Sequence, residues 1–247
     1  MRIAFLADIH ANLEAFEACL ADISRRSVDR YVFLGDIVGY GADPGRCVDI
    51  VREYCEHGAI ALMGNHDEAA SGASRFSLNS VAGAALDWTR GVLTPDQSAF
   101  LATLPMKVVD ERSLYVHASA ADSHQFPYIH SLREAGESLQ ATSQALTVVG
   151  HVHEPALYHI SATGKVMGFI PIAGTPIPLS SQRRWLAVMG AVGQPRDRNP
   201  AAAYGIFDTG TTEVTYVRVP YDIEKTQRKI RAAGLPDILW KRLASGT

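Results

Sequence analysis

The sequence predicts an α/β fold, and three observations point to it. In the first half, short apolar runs alternate with segments whose apolar residues recur at helical spacing. From Pro155 onward, strand-like runs follow one another between Gly, Pro and Thr turns, so a βα half gives way to a half of β-hairpins. Polar residues with metal-ligating side chains collect where apolar strands stop, as they do in the crevice at the carboxyl ends of α/β strands. The 247 residues are 47% hydrophobic, ample for a core, and contain no repeat, low-complexity tract or Ser/Gly linker. One domain over residues 1–247, with a mixed sheet or two sheets facing each other, is the simplest architecture.

Arg2 to Ala7 reads as a buried strand, followed by a helix from Asn12 to Ser24 whose Leu13, Phe16, Leu20 and Ile23 share one face. Arg30 to Leu34 is the next strand. Asp43-Pro44 reads as an N-cap followed by proline at the first helical position, and Cys47, Val48, Val51 and Cys55 line that helix's inner face. A strand from Ala59 to Met63 ends at Gly64. Helices follow around Asn79 to Arg90 and from Thr94 to Leu104, the second opened by a Thr-Pro-Asp-Gln capping box. Lys107 to Val109, Leu114 to Val116 and Thr147 to Val149 read as strands, with a helix near Leu132 to Thr142 between the last two. Ala156 to Ile160, Val166 to Ile170, Trp185 to Met189, Tyr204 to Phe207 and Glu213 to Val219 complete the strands. Tyr221 to Leu243 returns to helix, broken near Gly234-Leu235-Pro236.

Lys and Arg number 23 against 26 Asp and Glu, a formal net charge of −3, so no cationic face advertises nucleic acid, and a duplex partner is not expected. Three cysteines without a CxxC pair fit a reduced, cytoplasmic setting. The apolar stretch after Arg2 is too short for a secretory signal, and no run approaches the roughly 18 apolar residues of a membrane span. Oligomeric state is left open.

The chemistry sits at the strand ends: Asp8 and His10, Asp36, Gly64-Asn65-His66-Asp67, His117, and His151 and His153. Asp8 and His10, like His151 and His153, stand at alternate positions, where an extended backbone points both side chains the same way. Imidazole and carboxylate ligands suit Zn, Mn or Fe better than Ca or Mg. Asp8, His10, Asp36, Asn65, His117, His151 and His153 are too many for one ion, but two ions sharing Asp36 as a bridge, about 3.5–4 Å apart, use them all. Two dications exceed the charge of two aspartates and a bridging hydroxide, and the neutral Asn65 keeps the excess. A phosphate ester is the anion that such a site suits.

Asp8-x-His10, Gly35-Asp36-x-x-Gly39, Gly64-Asn65-His66-Asp67, His117 and Gly150-His151-x-His153 resemble, in order and type, the motifs of the calcineurin-like metallophosphoesterases. The run from Gly190 through Gly193-Gln194-Pro195-Arg196 to Asp197 resembles a loop of the bacterial branch of phosphoesterases related to diadenosine tetraphosphate hydrolases. This chain differs from that branch just before the loop, with Val188-Met189-Gly190-Ala191 where Asn-Pro-Gly-Ser is usual.

The resemblance implies a four-layer αββα sandwich with two mixed β-sheets. It also implies two divalent transition-metal ions, the first on Asp8, His10, Asp36 and His153 and the second on Asp36, Asn65, His117 and His151. His66 would be the general acid or charge stabiliser at the leaving-group oxygen, oriented by Asp67, with Asn12 and Arg196 as phosphate contacts. The implied activity is hydrolysis of a phosphomonoester, phosphodiester or nucleotide phosphoanhydride by a metal-bound hydroxide, on a small phosphorylated substrate, a nucleotide among the options.

Two other classes compete. A non-catalytic metal-binding scaffold or protein-interaction module of the same fold would not need His66, which is present. Another dinuclear hydrolase, an amidase or lactamase, would carry a His-Glu-x-x-His or His-x-His-x-Asp-His run, which is not found. No Ser elbow offers a nucleophile, and Cys19, although followed by Arg25 at Cys-x5-Arg spacing, falls on an apolar helix face. His57, His124, His130 and His159 fit no motif, and Lys225, Arg228, Lys229 and Arg231 read as the solvated face of a helix. Substrate preference is assigned to residues 119–131 and 171–198, whose chemistry a lone sequence does not decode.

Overall fold

The computed structural model describes residues 1–72 and 79–247. In chain order the first elements are β1 (Arg2–Leu6), α1 (Leu13–Ile23), β2 (Arg30–Phe33), α2 (Pro44–Glu56), β3 (Ile60–Ala61), α3 (Asn65–Ala70), α4 (Ser80–Val92) and α5 (Pro95–Ala102). Then come β4 (Lys107–Asp110), β5 (Ser113–Val116), α6 (Leu132–Gln140), β6 (Leu146–Val149), β7 (Ala156–Ile160), β8 (Val166–Phe169) and β9 (Ile177–Pro178). The chain closes with β10 (Arg184–Val188), β11 (Ala202–Asp208), β12 (Glu213–Val219), α7 (Ile223–Ala232), α8 (Asp237–Lys241) and a 3₁₀ turn at Arg242–Ala244.

Two mixed sheets result, in the orders β3, β2, β1, β11, β12, β9 and β4, β5, β6, β10, β7, β8. β1, β2 and β3 run parallel, as do β5, β6 and β10, and the remaining pairs are antiparallel. The sheets face each other. Strand alternation divides the core: Ile3, Phe5 and Ala7 join Val148, Trp185 and Tyr216 between the sheets, while Ala4 and Leu6 turn outward onto Phe16, Cys19 and Val48 of α1 and α2. On the far side, Val116 and Leu186 pack against Ala135 and Leu139 of α6. The order of layers is therefore α, β, β, α, the sandwich that the resemblance implies, and of the two architectures left open the facing sheets are the ones formed.

Local signals account for most boundaries. Asn12 Oδ1 accepts the Ala15 N–H at 3.2 Å and opens α1. Thr94 and Gln97 form the expected reciprocal box, at 3.2 and 3.1 Å. Pro44 starts α2, but Asp43 does not cap it with its side chain; its carboxylate takes Lys229 Nζ at 2.8 Å instead. Lys229 also reaches Glu14 at 2.6 Å, and Lys225 reaches the same carboxylate at 3.1 Å, so two of the four basic residues read as a solvated face tie α7 to α1. The strand expected from Ala59 to Met63 contracts to Ile60–Ala61, while α3 and β9 have too few residues to show a period. No helix among the described residues is long and apolar enough to cross a membrane.

Asp22 pins α1 to the first sheet: its carboxylate accepts from Arg26 at 2.7 Å, Arg25 at 3.1 Å and Tyr204 Oη of β11 at 2.6 Å. Burial pushes this carboxyl up, but these bonds outweigh it and hold it down at about 2. A carboxyl depressed on folding contributes stability that is complete above its ordinary value near 3.8 and is lost as pH falls through its folded value. Asp22→Asn should therefore cost about 1–2 kcal/mol at pH 7, and the gap should shrink to about half by pH 3 in urea titrations. An equal gap at both pH values would contradict the assignment.

Candidate metal centre

The parallel strands of both sheets end at one crevice, and the backbone there is unusual. Asp8, His10, Asp36, His151 and His153 all adopt left-handed conformations, with φ of 55°, 49°, 53°, 67° and 66°. The alternating residues are thus not extended, contrary to the sequence reading. Each turn re-aims its side chain into the crevice, at a cost of order 1–3 kcal/mol per residue that non-glycine residues bear mainly at functional sites. Backbone bonds lock the turns together: Asp8 N–H donates to Gly35 O at 3.1 Å, His10 N–H to Asp36 O at 2.9 Å, and Gly150 N–H to His117 O at 2.8 Å. Gly64 is required for a different reason, since a Cβ there would overlap the Asp36 backbone nitrogen and Oδ1.

The structure brings the ligating side chains into two groups able to hold a metal ion, Asp8, His10, Asp36 and His153 in one and Asp36, His117 and His151 in the other, all buried. Asp36 belongs to both. Its Oδ2 lies 3.6 Å from His10 Nε2 and 3.4 Å from His117 Nε2, while Oδ1 accepts the His66 N–H at 2.9 Å. Three imidazoles are oriented by carbonyls: Nδ1 of His10 faces Val38 O at 3.1 Å, His117 Leu34 O at 2.7 Å and His153 Gln194 O at 2.6 Å. Donation from Nδ1 leaves Nε2 of a neutral ring with its lone pair directed at the crevice.

The donor set fits metal ions. His10 Nε2 and His153 Nε2 lie 3.0 Å apart, and His117 Nε2 lies 3.2 Å from His151 Nδ1. With Nδ1–H of both His10 and His153 committed to carbonyls, their two lone pairs face each other, a repulsive contact that a cation held by both would turn attractive. Asn65 Oδ1 and His151 Nε2 are buried without a hydrogen-bond partner among the described residues, a costly state for polar atoms that ligation or a bound group relieves.

Burial holds the imidazoles of His10 and His153 well below the ordinary histidine range, and that of His151 at about 3, so all three stay neutral as ligands must. Burial also lowers His117, but Asp36 and then Asp8 outweigh it and carry His117 up to about 9. Asp8 is pushed up to about 8 by burial and by Asp36. A dication among these groups would draw both carboxyls down and release the His117 proton, so metal uptake is coupled to proton release.

His66 is buried beside the first group, its ring 4.9 Å from His10 and 4.5 Å from Tyr40. Asp67 corrects the sequence reading: it does not hydrogen-bond the His66 ring. Its carboxylate accepts the N–H groups of Ile37 at 2.9 Å, Val38 at 3.1 Å and Gly64 at 3.1 Å, which ties the loop after β2 to the start of α3. Asn12 is likewise committed inside the fold. Besides capping α1 it donates to Gly193 O at 2.8 Å and Tyr221 Oη at 3.2 Å and accepts from Thr226 at 3.0 Å, with 2% of its surface exposed. This leaves it no free polar atom for a phosphate. Arg196 stands at the rim, its guanidinium 5.9 Å from the Tyr40 ring centre.

Several neighbours belong to no motif of the sequence. Tyr128 stacks on His151 at 4.1 Å and His130 on Tyr128 at 5.1 Å, so His130 reaches the rim through an aromatic neighbour rather than a motif. The carbonyls of Leu34, Val38 and Gln194 are backbone groups in the segments that follow β2 and β10, and no residue type marks them.

Residues 1–212 match the calcineurin-like phosphoesterase superfamily domain. The chain is 34% identical over 254 residues to an uncharacterised protein of Methanocaldococcus jannaschii, covering 99% of this chain and 98% of that one. It is 41% identical to a metallophosphoesterase from Sphaerobacter thermophilus, whose crystal structure superposes with a TM-score of 0.88 over 100% of this chain and 99% of that one. A Pyrococcus horikoshii protein of 18% identity shares the fold, with a TM-score of 0.82 over 100% of this chain and 98% of that one. The motifs at the strand ends, the sandwich and the match over most of the length agree: the chain belongs to the calcineurin-like phosphoesterase superfamily.

Proposed function

We propose that this metal-dependent phosphoric ester hydrolase works with two divalent transition-metal ions, Mn, Fe or Zn, held on either side of Asp36, and acts on a small phosphorylated substrate. The observation that carries the reading is the sharing of Asp36 by two groups of buried ligands, with Oδ2 3.6 Å from one imidazole and 3.4 Å from the other. Asp8, His10 and His153 would complete one site, and Asn65, His117 and His151 the other. The unpartnered Asn65 Oδ1 supports its place in that set. Bound there, the ions would lower the pKa of a water and neutralise the phosphoryl oxygens.

The chain's own residues do the rest. Nδ1 of His66 is buried against Gly39, where a Cβ would crowd it, which leaves Nε2 as the nitrogen able to face a substrate. Burial lowers this imidazole, favouring the neutral form. His66 would therefore donate its N–H to the leaving-group oxygen and stabilise the charge that develops as the P–O bond breaks. Asp67 is a positioning residue: burial, and then Asp36, push its carboxyl up to about 7, while three N–H groups hold it across two loops.

Asp36→Asn should lose both metal and turnover, read by elemental analysis of the purified protein and by hydrolysis of an aryl phosphate. His66→Ala should retain its metal and lose about 10²–10⁴-fold in kcat; a fully active variant would remove His66 from the mechanism. Metal at a hundred times its Kd should stabilise the wild type by about 2.7 kcal/mol for each independent site, and Asp36→Asn should abolish most of that gain. Metal uptake with no turnover of aryl monoester, aryl diester or diadenosine tetraphosphate would favour the scaffold instead.

A further inference from the structure

Beside the crevice, two guanidinium groups converge on one oxygen. Gln194, buried in the loop after β10, accepts at Oε1 from Arg196 Nη2 and from Arg242 Nη1, each at 3.1 Å. The Nε of each arginine is buried with no hydrogen-bond partner among the described residues. Among the described residues neither side chain forms an ion pair there, and the adjacent Asp197 is paired with Arg218. Burial, and then Arg196, disfavour the charged form of Arg242. Two like charges sharing a neutral acceptor, with buried donors unspent, form an arrangement that an oxyanion would complete.

The pair lies one ring from His66: the Arg196 guanidinium is 5.9 Å from the centre of Tyr40, whose ring is 4.5 Å from His66. Arg242 is delivered by the C-terminal turn, which folds onto the same loop through the Arg198 N–H to Gly246 O bond of 2.7 Å. It lies beyond the residues 1–212 that match the family domain.

We propose that Arg196 and Arg242 form a subsite for a second phosphoryl group, on the leaving-group side of the scissile one. The preferred substrates would be phosphoanhydrides or bisphosphorylated molecules rather than simple monoesters. This rests on the reading that places His66 at the leaving-group oxygen. With an anhydride, a water oxygen bonds to the scissile phosphorus as the bridging P–O bond breaks. The arginines then neutralise the phosphate that departs, while the protons of the water pass to the products and solvent.

Calorimetry on the full-length, metal-loaded protein, with free Mn²⁺ buffered, can compare methylenediphosphonate, a non-hydrolysable diphosphate, with methylphosphonate. The wild type should bind the diphosphonate at least tenfold more tightly. In Arg242→Gln the ratio should fall to within threefold, and Arg242→Lys, which keeps the charge but loses the fork, should lower it at least threefold. A wild-type ratio within twofold overturns the proposal without recourse to any variant, as does a ratio unchanged in both folded variants. Failure of the hydrolase reading shows separately, as aryl phosphate left uncleaved by the metal-loaded wild type. A low ratio with aryl phosphate cleaved overturns the arginine subsite alone.

Discussion

The buried carboxylate of Asp36 is the interaction on which the rest of the site depends. It stands within 3.6 Å of one imidazole and 3.4 Å of another, drawn from opposite sheets. Such a group is tolerable inside a protein only where positive charge or donors surround it. The surroundings are built accordingly: the His66 N–H caps its Oδ1, Gly64 leaves room for it, and the Asp67 carboxylate holds the loops on either side. The strained backbone at Asp8, His10, Asp36, His151 and His153 is sustained by the same mutual bonding.

That concentration of polar groups needs a rigid frame, which the paired sheets provide. β1 presents alternate side chains to the core between the sheets and to the helices, so a shift of one residue would exchange the two cores and move Asp8 with them. The second sheet contributes His117 and His151 just past the ends of β5 and β6, and β10 leads into the loop that orients His153. Side chains from residues 8 to 153 thus meet because the parallel strands of two facing sheets end in one crevice.

Around this centre the rim is assembled from segments without metal ligands of their own. Tyr40 touches His10 and His66, Tyr128 covers His151, and the last residues bring Arg242 to Gln194. The strand ends thus hold the buried Asp and His groups, while the side chains around them come from loops and the C-terminal turn.

How much of this was legible varies with the length of the signal. Apolar periodicity marked the main helices and short apolar runs the main strands, and capping residues placed several of their ends. Two-residue strands and the six-residue α3 have no period to read. The Asp and His residues that gather in the crevice, and their place after the strands, were visible in the letters, because imidazole and carboxylate chemistry belongs to single residues. What single residues do not carry is direction. The left-handed turns of Asp8 and His151, the commitment of Asp67 to three backbone N–H groups, the burial of Asn12 within the fold and the pairing of Arg196 with Arg242 arise only when distant segments pack. Their hydrogen-bond partners lie up to 214 residues away along the chain, and nothing local to either end specifies the other.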